Sequence, residues 1–210
     1  MPYTGSFEQK KPSSSGSPFL GFQEVAMTDV VDKSKDYPNM DMFLEISFRN
    51  GNSQFPTNYS LLGTFERDEQ GNIAGDSSLL KRIIHFTTAL GWRGGVDKQG
   101  NWVDEEDKAI DDIAGFLNVK YTQANYGTEG DFNHPYLIYV YKKWNDKANK
   151  AYTTVLPKIS HANAAGRKDL ESYVAWMKTN GYLKEHTEEQ PVMAQDDVSS
   201  TATQTSMPKF

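Results

Sequence analysis

The residues of this sequence best suited to chemistry are rings and amines set side by side. In the run HPYLIYVYKKW (134–144) Tyr139 and Tyr141 alternate with Ile138 and Val140, and Lys142, Lys143 and Trp144 follow directly. Between positions 142 and 158 five lysines (Lys142, Lys143, Lys147, Lys150, Lys158) meet one acid, Asp146, with Tyr152 among them. Flat faces and ammonium groups together suit a ligand whose bases stack on rings and whose phosphates are neutralised by cations, and neither contact depends on base sequence. Each stacked base is worth roughly 1–3 kcal/mol. A strand sends alternate side chains to opposite faces, so Tyr139, Tyr141 and Lys143 share one face and Ile138, Val140 and Lys142 the other. With the apolar pair turned inward, the two tyrosines are expected on the outer, ligand-accessible side. Tyrosine also fits a half-buried pleated surface for packing alone, so the reading rests on the cluster and not on one ring.

Other positions extend the set. Phe43 and Arg49 project from the face of DMFLEISFRN (41–50) opposite Met42, Leu44, Ile46 and Phe48. Lys120 is expected on the corresponding face of a strand at VKYTQANYG (119–127), while Tyr59 and Tyr121 fit either face of their strands. Trp92 and Arg93 open a glycine-rich loop and add one ring and one guanidinium. The candidate nucleic-acid-binding set is therefore Phe43, Arg49, Tyr59, Trp92, Arg93, Lys120, Tyr121, Tyr139, Tyr141, Lys142, Lys143, Trp144 and Tyr152.

Catalytic chemistries find less support. The absence of cysteine excludes disulfides, thiolate catalysis and cysteine-ligated zinc. His85, His134, His161 and His186 are far apart, and no HExxH spacing places two on one helix face. Residues 97–112 carry seven acids against two lysines, which raises a magnesium-dependent nuclease as a possibility. There is no phosphate-binding glycine loop, no acid-x-lysine strand and no histidine pair to support it, and such runs are usually the solvated face of a helix. No G-x-S-x-G elbow exists either. The expectation is no catalysis, no cofactor and no metal.

The elements that must position the rings follow from periodicity. A chain of 210 residues suits one domain with tails. Residues 1–17 read as a flexible arm, 18–184 as the binding domain and 185–210 as a disordered tail. Strands are expected at 19–27, 41–50 and 57–66, with the Asn50-Gly51 turn between the second and third. A helix over 77–90 ends at Gly91, a loop spans 92–101, and a short acidic helix covers 104–118. Strands at 119–127, 134–144 and 151–159 and a closing helix over 163–183 complete the order. This predicts a mainly β protein with helices (α+β): an OB-like five-stranded β-barrel with an extra hairpin strand and a C-terminal helix. The net charge of -6 is segregated, since the 142–158 stretch is locally basic. No apolar run has the length of a signal peptide core or a membrane span, so a soluble protein of the host cytoplasm is expected.

The strand–turn–strand LEISFRNGN…TNYSLLGTFE, the helix LLKRIIHFTTALGW and the later GFLNVKYTQANYG…YLIYVYKKW resemble bacteriophage single-stranded DNA-binding proteins over roughly residues 18–160. The resemblance implies an OB-type fold, a role in DNA replication or recombination, and recruitment of replication proteins through the tail. Phe210 is similar to the terminal phenylalanine of podophage-type members, which makes it the candidate partner-binding residue. The tail departs from that pattern in holding only four acids over 186–210 and in placing Lys209 beside the end. The leading expectation is sequence-tolerant binding of single-stranded DNA. The alternative, which the net acidity favours, is a non-catalytic protein-interaction or virion accessory module with an OB-like surface.

Overall fold

Apolar positions spaced two apart supply much of the core face of the first three strands. The computed structural model describes residues 20–51, 56–123 and 133–186. Strand β1 (Gly21–Asp32) pairs antiparallel with β2 (Met42–Arg49), and β2 with β3 (Thr57–Gly63). On β2 the side chains of Met42, Leu44, Ile46 and Phe48 are buried, while Glu45, Ser47 and Arg49 stay partly exposed. β1 outlasts the apolar run 19–27 because a bulge between Met27 and Asp29 resets its register and returns Val30 to the core face.

Helix α1 (Ser78–Leu90) turns Leu79, Ile83, Phe86 and Leu90 onto the sheet, spaced as one helical stripe. Gly91 ends it in the left-handed region (φ 68°), where its amide reaches the Thr87 and Thr88 carbonyls. The expected loop at 92–101 contains a small hairpin, β4 (Gly95–Val96) with β5 (Trp102–Val103). Helix α2 (Ile113–Tyr121) follows, and then β6 (Tyr136–Asn145), β7 (Lys150–Val155), β8 (Ser160–His161) and α3 (Ala164–Thr179).

β6 pairs with β1, β7 and β8, giving a six-stranded antiparallel sheet of order β3-β2-β1-β6-β7 with β8 attached to β6. The protein is thus α+β, with this sheet, the small hairpin and three α-helices among the described residues. One face of the sheet shares the main core with α1 and α2. On the other face Leu170 and Val174 of α3 pack with Leu137, Tyr139, Leu156 and Leu183. β6 is therefore buried on both sides, which is why YLIYV reads as a continuous apolar run.

β3 and β7, the two ends of the strand order, do not pair with each other. They nevertheless approach. The Tyr59 hydroxyl of β3 donates to the Pro157 carbonyl just past β7 at 3.1 Å, and Arg82 of α1 donates to the Leu62 carbonyl at 2.9 Å and to that of Ser60. The guanidinium thus occupies backbone acceptors that an unpaired edge would leave open.

Two expected elements are corrected. The helix expected over 104–118 begins only at Ile113, because the acids before it organise turns. Asp97 accepts the amides of Gln99, Gly100 and Asn101, and Asp104 accepts those of Glu106 and Lys108. Asp112 caps α2 by accepting from the Gly115 amide, so close that a Cβ at Gly115 would collide with the carboxylate. The strand expected at 119–127 is not formed at its start, since Val119, Lys120 and Tyr121 are the last turn of α2; residues 124–132 lie outside the described residues. Val119 is 90% exposed and Leu117 fully buried, a helical arrangement set by Ile113 and Leu117 one turn apart. No helix among the described residues is long and apolar enough to cross a membrane.

The seam yields a stability test. Arg82→Met keeps the aliphatic stem and removes the donors, and should lower unfolding free energy by about 1–3 kcal/mol in urea titrations followed by circular dichroism. An unchanged midpoint would mean that the seam does not depend on the guanidinium.

Candidate nucleic-acid interface

Lysine and tyrosine face each other across the last hairpin. β6 and β7 are joined by a turn in which the Ala148 amide reaches the Asn145 side chain and Asn149 takes a left-handed backbone (φ 48°). The register sets Lys143 opposite Tyr152 and Trp144 opposite Ala151. Trp144 and Tyr152 are each 40% exposed, an uncommon state for large rings and the state a stacking surface needs.

Two clefts meet here. A smaller one of about 230 Å³ lies in the seam, bounded by Asn58, Ser60, Arg82, Tyr152 and Thr154. A larger one of about 440 Å³ is bounded by Trp144, Asp146, Tyr182, Lys184, Glu185 and His186. Tyr141 and Lys143 line both and form the ridge between them. Rings and cations therefore share one track, with Tyr141 and Lys143 at the ridge, Tyr152 toward the smaller cleft, and Trp144, Tyr182 and Lys184 toward the larger. Neither Lys143 nor Lys184 is in an ion pair among the described residues.

The segment after α3 builds the outer wall of the larger cleft. The chain turns at Gly181 (φ 72°) and returns across β6 with Leu183 buried. Tyr139 donates its hydroxyl to Glu185, Lys178 donates to the same hydroxyl at 3.1 Å, and Lys178 pairs with Glu185 at 3.0 Å. The His186 amide then donates to the Lys142 carbonyl at 2.9 Å, and its ring lies 4.8 Å from that of Trp144. Burial alone would raise the Glu185 carboxyl, but the hydrogen bonds from Tyr139 and Lys178, with the lysine's charge, hold it below the usual carboxylate range. Burial and then the bond to Glu185 push the Tyr139 phenol up, and the bonds to Tyr139 and Glu185 raise Lys178.

Of the residues expected in the site, Tyr141, Lys143, Trp144 and Tyr152 come together around the clefts, and Tyr59 lines the smaller one from a buried position. Lys142 is partly buried on the opposite face of β6. Tyr139 is a correction. It is 7% exposed because α3 covers the outer face of β6, and it meets Phe22 edge-on at 4.8 Å, so it fastens the wall instead of facing a ligand. Trp92 is a second correction, 3% exposed and stacked on Trp102 at 5.8 Å in the main core.

Lys120 is a third, since it sits on α2, 3.5 Å from Glu105 and over the rings of Phe116 and Tyr121. Tyr121 packs half-buried against Phe116. Phe43 is buried against Tyr37, with Lys33 over its ring. Arg49 is partly exposed and Arg93 exposed, and neither lines the two clefts. Phe210 lies outside the described residues. The sequence reading missed Arg82, Tyr182, Lys184 and His186. Arg82 carried a signal, a cation inside the apolar helical run LLKRII, whereas the return of residues 182–186 over β6 leaves no periodic trace. Comparison with protein-family models, with curated proteins and with solved structures gave no match.

The Glu185 clasp has a pH signature. A carboxyl held below its unfolded value, about 4.3, adds stability that is present above that pH and lost as pH falls through its folded value. Glu185→Gln should therefore melt at lower temperature than the parent at about pH 7, with the gap closing toward about pH 3. A gap independent of pH in the thermal melts would show that ionised Glu185 is not what holds the wall.

Proposed function

We propose that this chain binds single-stranded DNA without reading its sequence and without doing chemistry on it. The observation that carries the reading is the ridge of Tyr141 and Lys143, from which exposed rings extend into both clefts, with Lys143 and Lys184 in no ion pair among the described residues. Bases have faces to stack on, and phosphates have amines within the same track. Asp146 and Glu185 are the acids lining it, and Glu185 is already engaged by Lys178 and Tyr139.

The fold supports the same reading. The order β3-β2-β1-β6-β7, with a helix after β3 and the outermost strands drawn together across a seam, is the order of a five-stranded, partly open OB-like barrel, a design that takes oligonucleotides on its surface and on the loop joining its last two strands. In that scheme the basic β6–β7 hairpin is the ligand-side loop. The resemblance to phage single-stranded DNA-binding proteins extends the proposal to viral DNA replication or recombination in the host cytoplasm.

A labelled oligo-dT titration tests it, with a duplex of equal length as control. The strand should bind more tightly than the duplex, and affinity should fall steeply with salt as counterions are released. Trp144→Ala should cost roughly 1–3 kcal/mol, and Lys143→Ala should weaken binding and reduce the salt slope by about one. Salt-independent affinity would sink the phosphate mechanism. No binding at low salt would favour a protein-interaction module instead, for which the exposed, neighbouring rings of Trp176 and Tyr182, 5.3 Å apart, would be the surface.

A further inference from the structure

The seam cleft has Tyr59 and Pro157 among its lining residues. Tyr59 is almost fully buried beneath it, and the Tyr59–Pro157 hydrogen bond crosses the gap from β3 to the chain beyond β7. The space left is about 230 Å³, smaller than the ~300–1,000 Å³ of pockets for drug-sized ligands. Asn58 and Ser60 line it from β3, Tyr152 and Thr154 from β7, and Arg82 and Lys143 supply two cations. No carboxylate is among the lining residues.

Arg82 is the group left unsatisfied. Its terminal nitrogens bond the Leu62 and Ser60 carbonyls, but carbonyl dipoles do not cancel a full charge, and it is in no ion pair among the described residues. Its Nε is buried without a hydrogen-bond partner. A part-buried guanidinium lacking a counter-ion is costly, and an anion entering the cleft beside it supplies that counter-ion.

We propose that this pocket binds a phosphate monoester carried by a nucleotide, either the terminal phosphate of a DNA strand or that of a free nucleoside monophosphate. A monoester carries about 1.5 to 2 negative charges at neutral pH and three acceptor oxygens. An internal diester carries a single charge and brings chain on both sides, so a pocket of about 230 Å³ beside Arg82 and Lys143 favours the monoester. Tyr152 borders the pocket with an exposed ring on which the attached base stacks. The Tyr141–Lys143 ridge then leads the remaining strand into the larger cleft. The proposal rests on the single-stranded DNA reading for the strand end as a source of phosphate; the preference for a monoester follows from the pocket alone.

The test uses the full chain and three oligo-dT strands of equal length: 5′-phosphorylated, 3′-phosphorylated and unphosphorylated. Calorimetric titration with dTMP and with thymidine runs beside them. One phosphorylated strand should bind about five- to tenfold tighter than the unphosphorylated one, or dTMP should bind where thymidine does not; the first result assigns the strand end and the second the free nucleotide. Arg82→Gln should abolish the preference, and because that change also alters the seam, Thr154→Val provides a second variant that should reduce the same ratio. Equal affinity for all three strands, with no difference between dTMP and thymidine, overturns the proposal whatever the strand affinity itself. Binding of dTMP in a protein that retains no oligo-dT supports the pocket and overturns the single-stranded DNA reading instead.

Discussion

Two strand edges that face each other without pairing are the constraint on which the arrangement of this protein depends. β3 and the chain just past β7 leave backbone acceptors that must find donors, and Arg82 on α1 and the Tyr59 hydroxyl provide them from side chains. That solution ties a helix to the seam. It also keeps the two strands apart, and the gap so preserved is the smaller of the two clefts. Had β3 and β7 been zipped by their own backbones, the sheet would close and the space beside Tyr152 and Thr154 would be filled by the ladder.

The second organising fact is that β6 has no free face along its first half. Ile138 and Val140 belong to the main core, and Leu137 and Tyr139 to the smaller core under α3. Beyond Tyr141 the strand leaves both cores, and there its side chains become partly or fully exposed. The same strand thus serves as scaffold at one end and surface at the other, so the rings at its exposed end are carried by a strand anchored in both cores. The wall opposite them is held by a charged clasp, Tyr139, Lys178 and Glu185, which places polar chemistry where the apolar contacts run out.

Much of this was legible in the sequence, for identifiable reasons. The inward pattern of β2, the stripe of α1 with its glycine stop, and the β6–β7 hairpin all follow from local periodicity and turn chemistry. Strand alternation puts Tyr141 and Lys143 on one face, and Trp144 and Tyr152 join them by flanking the basic hairpin. Tyr139 misled because alternation says which residues share a face, not what later covers that face, and α3 arrives from thirty residues downstream. Trp92 misled because a glycine-rich flank suggests exposure, while the small hairpin folds Trp102 back upon it. The acidic run misled because a carboxylate that gathers backbone amides in a turn looks, in composition, like one that faces solvent. The expected α+β composition is met by the antiparallel sheet and its helices, whereas the expected barrel is not closed: β3 and β7 do not pair, and a seam held by side chains has no local pattern.

The register of β1 with β6 has a kinetic side. Gly21 lies opposite Val140 and Val25 opposite Tyr136, so the strand that starts the sheet finds its partner more than a hundred residues later. Loop closure of that length precedes any reward from the pairing, which makes the topology one of slow, non-local folding. On a ribosome, the β1–β2–β3 meander emerges with its β1 edge bare and waits for β6 and α3 to be made. During that interval Val25 and Phe22 are without their native cover, and a nascent chain paused there is a species that a second strand edge could capture.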